Sequence, residues 1–178
     1  MKIIILYATT EGQTLKIARF AQDRLAERGA AVELMACGDS AGTDLARFDG
    51  AIVAASIHAG QYQTDCAEAA HRHRAALAKM PNVFLSVSLS AAGDDPDDWA
   101  GLKHAVAILQ EATDWTPREI WHVAGAFRFS HYNWFKTWAM RWIAAQKGVD
   151  PKSGEDVEFT DWDDLRARLD QWHDGLTG

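Results

Sequence analysis

The chain lacks the means to staple itself. Only Cys37 and Cys66 occur in 178 residues, well separated and outside any C-x-x-C or Cys/His cluster. That excludes a disulfide scaffold and a structural zinc site, and it suits a reducing cytoplasm. Positive charge is also short, with 18 Lys+Arg against 25 Asp+Glu and a net charge of −7. A nucleic-acid-binding domain needs a basic footprint and is disfavoured. No apolar run reaches the roughly 18 residues that span a bilayer. The start, Met1-Lys2-Ile3-Ile4-Ile5-Leu6-Tyr7, is too short in apolar length and too poor in cations for a secretory signal. There is no nucleophile elbow, no internal repeat and no low-complexity stretch. With 48% hydrophobic residues, the chain reads as one domain, residues 1–178, able to bury its own core.

Residues 2–8, apolar from Ile3 onward, form a run that stops at Thr9-Thr10-Glu11-Gly12-Gln13-Thr14. Such a run predicts a strand buried on both faces, as in a parallel sheet. Helical spacing follows over 14–28 and ends at Gly29. Strands are predicted at 31–36, 49–56, 83–88 and 119–127, and helices at 64–78, 97–113 and about 161–175. In the last helix, Thr160 and Asp163 resemble a capping box, and Trp162, Leu165, Leu169, Trp172 and Leu176 supply the core stripe. The alternation predicts a three-layer α/β sandwich, a five-stranded parallel sheet with helices on both faces. Only residues 128–155 break the rhythm, as an insertion near or within strand five.

The first strand-to-helix loop is the most informative local feature. Free N–H groups at a helix start, with the helix dipole behind them, attract anions. Thr9, Thr10 and Thr14 add hydroxyls, and Gly12 lets the backbone curl close. The loop has neither the lysine of G-x-x-x-x-G-K-[ST] nor the glycines of G-x-G-x-x-G. Hydroxyls and amides without a lysine suit a tightly held monophosphate better than a nucleotide being hydrolysed. An ordinary capped helix start is the competing reading of the same residues.

Tyr7-Ala8-Thr9-Thr10-Glu11-Gly12-Gln13-Thr14 resembles the FMN-phosphate loop of flavodoxins. In that family the flavin ring lies between loops after strands three and four. The matching positions here are Ser56-Ile57-His58-Ala59-Gly60, running on to Gln61-Tyr62, and Ser86-Val87-Ser88-Leu89-Ser90-Ala91-Ala92. Both lie on the carboxyl edge of the sheet, where open α/β folds bind ligands. Further stretches resemble the flavodoxin-type, quinone-dependent protoporphyrinogen IX dehydrogenases. These are Ala55–Gly60, Pro81–Leu89, Ala124–Phe129 with Tyr132–Phe135, and Phe159–Trp162. The resemblance implies FMN as cofactor, oxidation of protoporphyrinogen IX to protoporphyrin IX, and electrons passed to a membrane quinone, menaquinone or ubiquinone. It implies that Thr9 to Thr14 hold the phosphate and that Ser56–Gly60 and Ser86–Ala91 line the ring. Arg128, His131, Tyr132 and Trp134 are then the candidates for the substrate side. The chain departs from that family at the acidic run Gly93–Trp99, where basic residues are usual, and at His58, where an arginine would fit. Two other readings stay open, a soluble one-electron carrier flavodoxin and another FMN-dependent quinone oxidoreductase.

The insertion has its own chemistry. Residues 128–152 hold Arg128, Lys136, Arg141, Lys147 and Lys152 against Asp150 alone, with Trp134, Trp138 and Trp142 among them. His131, Phe135, Trp138 and Trp142 share one helical face. Indoles beside cations suit a membrane interface, which implies a cytoplasmic protein peripheral on the inner face of the cell membrane. Packing of these aromatics back onto the sheet as a core layer is the alternative. His71 and His73, two apart, fall on different helix faces, so no metal site is expected.

Overall fold

The structure, a computed structural model, describes residues 1–127 and 157–177. Strand β1 (Lys2–Ala8) runs into helix α1 (Gln13–Glu27), and β2 (Ala31–Ala36) follows. Strand β3 (Gly50–His58) turns back through the two-residue β4 (Gln61–Tyr62) into α2 (Thr64–Leu77). Then come β5 (Asn82–Ser88), α3 (Pro96–Thr113), β6 (Glu119–Ala124), β7 (Ala126–Phe127), β8 (Val157–Glu158) and α4 (Trp162–Thr177). The main sheet has the order β2-β1-β3-β5-β6, all parallel, with β4 paired antiparallel to the end of β3. This is the expected doubly wound arrangement, and it sets the carboxyl ends of β1, β3 and β5 side by side.

Both faces of the sheet are covered, which is why β1 is apolar at every interior position. Ile4 and Leu6 join Val53, Phe84, Leu109 and Trp115 in the core under α2 and α3. Ile3 and Ile5 join Ile17, Leu25, Leu85, Leu169 and Trp172 in the core under α1 and α4. Gly50 lets α4 approach closely, since a Cβ there would sit 3.2 Å from the Trp172 ring. At the end of α1, Gly29 turns with φ +90°, and the Ala30 amide reaches back to the Leu25 carbonyl at 3.1 Å. That return bond is how a left-handed residue closes a helix.

Three expectations change. The strand expected over 119–127 is broken at Gly125. There the Gly125 N–H donates to the Ser88 carbonyl at 2.9 Å and the Gly125 carbonyl accepts from Phe159 at 3.0 Å. A Cβ at this position would press on Val87 at 3.4 Å. The chain then leaves the main sheet, and β7 pairs antiparallel with β8. The capping box of Thr160 and Asp163 is replaced by Asp161, whose Oδ1 accepts from the Asp163 and Asp164 amides at 3.1 and 2.9 Å. Thr160 is occupied elsewhere, donating to the Ala124 carbonyl at 2.7 Å. Finally, Ser56–Gly60 is not a free loop, because Ser56, Ile57 and His58 continue β3 into a hairpin. The insertion 128–155, with Arg128, His131, Tyr132, Trp134, Trp138 and Trp142, lies outside the described residues.

Candidate functional site

The first βα turn is built for an anion. Gly12 takes φ 89° at the start of α1, a conformation that favours glycine, and no side chain caps the helix. The Thr9 hydroxyl accepts from the Gly12 N–H at 2.9 Å and so holds the loop in its curl. The first-turn N–H groups are left open at the positive end of the dipole. Thr14 is fully buried, yet its Oγ1 has no hydrogen-bond partner among the described residues. A buried hydroxyl is rarely left unpaired. At this position, beside an uncapped helix start, it is a donor free to meet an acceptor.

Two expected phosphate contacts are differently engaged. The Gln13 amide nitrogen donates to Glu158 Oε1 at 2.6 Å and to Thr160 Oγ1 at 3.0 Å. Lys16, one turn further, is held by both Glu158 oxygens at 2.8 and 2.9 Å. The cation nearest the loop in sequence is therefore spent on β8, and the cradle is left to neutral donors. The Lys16 and Gln13 hydrogen bonds outweigh burial and keep the Glu158 carboxyl below its usual range.

The hairpin stands beside this cradle. Ala59 and Gly60 both take positive φ, 48° and 80°, the geometry of a tight two-residue turn that matches strand twist. His58 Nε2 comes within 4.0 Å of Glu11 Oε1 across the gap. Gln63, just after the hairpin, donates from Nε2 to Thr10 Oγ1 at 3.0 Å and to Ser56 Oγ at 2.6 Å. It ties the first loop to the second, and its own Oε1 is buried without a partner among the described residues. Gln63 was invisible in the sequence because both partners are remote or lie in a segment that reads as loop.

The segment after strand four divides in two. Ser86, Val87 and Ser88 belong to β5, and Ser86 is fully buried, Val87 2% exposed. Leu89, Ser90 and Ala91 project beyond the strand and form a short turn, Ser90–Ala92, closed by the Ala91 amide on Ser88 Oγ at 3.2 Å. The acidic run behind it starts α3: Asp95 Oδ1 accepts from the Asp97 amide at 2.8 Å, with Pro96 in the first turn. Ser86 Oγ is shared by Tyr62 and His122 at 2.8 and 3.2 Å.

Features away from the loops read as structural. His71 and His73 face opposite ways, onto the Thr113 carbonyl at 3.1 Å and the Ser40 carbonyl at 3.0 Å. Cys37 and Cys66 are free, buried and in contact. Contact with Cys37, together with burial, raises the Cys66 thiol well above its usual value. A cavity of about 510 Å³, lined by Asn82, Arg118, Trp121, Arg168 and Trp172 among others, opens at the amino edge of the sheet, opposite the loops. Among the described residues no group of His, Cys, Asp and Glu could hold a metal, and no helix is long and apolar enough to cross a membrane.

Fold and site together define an open α/β protein whose first βα turn, among the described residues, offers hydroxyls and helix-start amides at the carboxyl edge of the sheet. The flavodoxin-domain family model matches residues 4–153, and the chain belongs to that family. The chain is 27% identical over 165 residues to the protoporphyrinogen IX dehydrogenase [quinone] of Escherichia coli strain K12, covering 93% of this chain and 91% of that protein. It is 26% identical over 166 residues to the protein of the same name from Leishmania major, covering 93% and 71%. A mutant flavodoxin from Pseudomonas aeruginosa matches with a TM-score of 0.59 at 18% identity over 100% of both chains, a likeness of fold. The cofactor of the flavodoxin domain is FMN, and the open helix start and orphaned Thr14 hydroxyl fit its phosphate.

Proposed function

We propose that the chain is an FMN-dependent dehydrogenase that oxidises protoporphyrinogen IX to protoporphyrin IX and passes the electrons to a membrane quinone, menaquinone or ubiquinone. The carrying observation is the extent of the similarity to enzymes of that name, 93% of this chain and 91% of the bacterial relative. It reaches far beyond the phosphate loop that marks flavodoxins in general. When bound, FMN supplies the redox chemistry.

The chain's own residues bind and orient. Thr9 and Gly12 shape the loop, the first turn of α1 and the Thr14 hydroxyl meet the phosphate, and Thr10, Glu11 and Gln13 complete its wall. The hairpin Ser56–Gly60 flanks one side of the ring and Leu89–Ala91 the other, with Ser86–Ser88 supporting the second from below. Arg128, His131, Tyr132 and Trp134 shape the substrate side. Residues 128–152, with five cations, one carboxylate and three tryptophans, form a basic Trp-rich insertion in a single domain. They bring the protein to the inner face of the cell membrane, where a lipid-soluble quinone is reached.

The test is anaerobic oxidation of protoporphyrinogen by FMN-loaded protein, with and without a menaquinone analogue, followed by porphyrin fluorescence. Quinone-dependent turnover is expected. Bound FMN without turnover refutes the dehydrogenase and leaves a one-electron carrier. Deleting residues 130–152 should abolish binding to anionic liposomes, and unchanged binding removes the membrane contact.

A further inference from the structure

Beneath the two loops runs a part-buried hydrogen-bonded row, two of whose three members, Tyr62 and His122, have no binding role above. Tyr62 Oη lies 2.8 Å from Ser86 Oγ, and His122 Nδ1 lies 3.2 Å from the same oxygen. Ser86 is fully buried and stands opposite His122 in the β5–β6 register. Phe84 packs edge-on against Tyr62 with centroids 5.0 Å apart, and Trp99 against His122 at 5.3 Å. Trp99 in turn donates its Nε1–H to the Gly93 carbonyl at 2.8 Å, just past the Ser90–Ala92 turn.

Counting protons gives the row a direction. A phenol and a serine hydroxyl each have one proton to place, and a neutral imidazole has one N–H and one bare nitrogen. Burial raises the Tyr62 phenol far above its usual value, so it keeps its proton. Its one hydrogen-bond partner among the described residues is Ser86, so the phenol donates to Ser86 Oγ. Ser86 must then place its own proton, and the acceptor in reach is His122 Nδ1. The ring proton of His122 therefore sits on Nε2. Protonating His122 would turn Nδ1 into a donor and leave one of the two hydroxyl protons of Tyr62 and Ser86 without an acceptor in the row, which is costly. Burial and the Lys103 ammonium on α3 act in the same direction and hold His122 below the usual histidine value.

We infer that Ser86 and Tyr62 lock His122 as the neutral Nε2–H imidazole, making it a positioning residue of fixed orientation beneath the loop that follows β5. The groups that face it are Ser86 from β5, Tyr62 behind Ser86 from the hairpin, and Trp99 and Lys103 from α3. Through Trp99 its orientation reaches Gly93 and the end of that loop. The loop's role beside the flavin rests on the function proposed above. The lock itself does not.

Long-range 1H–15N correlation spectra of the labelled protein, without and with FMN, read the tautomer directly. The expected result is a protonated Nε2 and bare Nδ1 for His122, kept to a lower pH than an ordinary histidine keeps its neutral form. Ser86→Ala and Tyr62→Phe, each a loss of one hydroxyl, should both move the His122 titration up toward 6.5. Circular dichroism of the two variants checks that they remain folded. An Nδ1–H tautomer in the parent protein, or titrations unmoved in both variants, overturns the lock. For the positioning role, His122→Gln places an amide near the Nε2 position and His122→Asn near Nδ1. FMN affinity by fluorescence titration should weaken about tenfold for the first, which loses the partner of Ser86, and stay within about twofold for the second, which keeps it. Equal losses overturn positioning. Absence of porphyrinogen turnover, with the expected tautomer, would remove the enzyme and leave the lock standing.

Discussion

The two faces of the sheet solve the same burial problem differently. Under α1 and α4 the core cluster is built of apolar residues, with Ile3, Ile5, Leu25, Leu85, Leu169 and Trp172 among its members. The buried polar groups there, Gln13, Thr14, Thr160 and His173, stand at the starts of the helices or near the end of α4, and charge is kept at the rim. There Arg24 grips Asp170 with two bonds of 2.7 Å, and Arg28 adds Asp174. Under α2 and α3 the core holds Phe84 and Trp115 but also admits buried His73, Asn82, Ser86 and Thr113. Each of these has a partner. Asn82, for example, donates to the Leu77 and Met80 carbonyls at 2.8 and 3.0 Å and accepts from the Arg118 amide at 3.1 Å. The first face gains stability from area, and the second gives up area for fixed directions. Directions are what loops beside a cofactor need.

The largest expected effects separate those two roles. Leu169→Ala, at a fully buried site on the α4 side, should cost about 2–5 kcal/mol in denaturant unfolding. The FMN affinity of the folded protein should be unchanged. Phe84→Ala should cost about 3–5 kcal/mol, and it should also weaken FMN, because the Tyr62 ring rests on Phe84. Equal effects of the two variants on FMN would break the contrast between the faces.

Next in size is Thr14→Val. The hydroxyl it removes is buried and has no partner among the described residues, so stability without FMN should hold or rise by about 1 kcal/mol. FMN affinity should fall about tenfold, some 1.4 kcal/mol. A fall in both quantities would show that the hydroxyl serves the free fold and not the phosphate.

Acid should reach the faces in order. Burial, aided by Arg72 and opposed by the Ser40 carbonyl, holds His73 below 6.5, and His122 is held below 6.5 as well. The unfolded chain takes these protons first, so the stability that neutral histidines support is present above 6.5 and is lost as pH falls toward the depressed values. On the other face the Arg24 hydrogen bonds hold the Asp170 carboxyl below 3.8 despite some burial. That contribution is present above 3.8 and goes only as pH falls through the lower folded value. Unfolding free energy against pH should therefore show two declines. His73→Gln should flatten the upper one and Asp170→Asn the lower one. A single decline centred near 4 would mean that the buried histidines are not held neutral.

Much of this was legible in the sequence, and what was not shares a cause. The apolar run at 2–8, the Gly29 stop and the polar break at Thr9–Thr14 are local signals, and the strands and helices fall within a few residues of them. The Tyr62–Ser86–His122 row joins β4, β5 and β6, and no local pattern connects three strands. Ser56–His58 read as loop because a hairpin turn of Ala59 and Gly60 lacks the Asn-Gly or Asp-Gly signature of that geometry. Thr160 looked like a cap because its competing partners, Ala124 and Gln13, are distant in the chain. Residues that act through remote partners are where a linear reading runs short, and near the site most are of that kind.

The smallest expected effect tests how the phosphate cradle does without a cation. Lys16 is 58% exposed and Glu158 33%, so their ion pair is worth about 0–1 kcal/mol at most, and less in salt. Glu158→Gln keeps an acceptor for Gln13 but removes the charge that holds Lys16. Stability should change by less than about 0.5 kcal/mol. FMN affinity should rise about twofold, since a carboxylate near an anion site is gone and Lys16 is free to turn toward it. The gain should vanish in high salt. A loss of affinity instead would mean that the Glu158 tie to Gln13 and Lys16 orders the first turn of α1. The cradle would then depend on β8 for its shape, and the neutral-donor site and the strand that follows the insertion would be one unit.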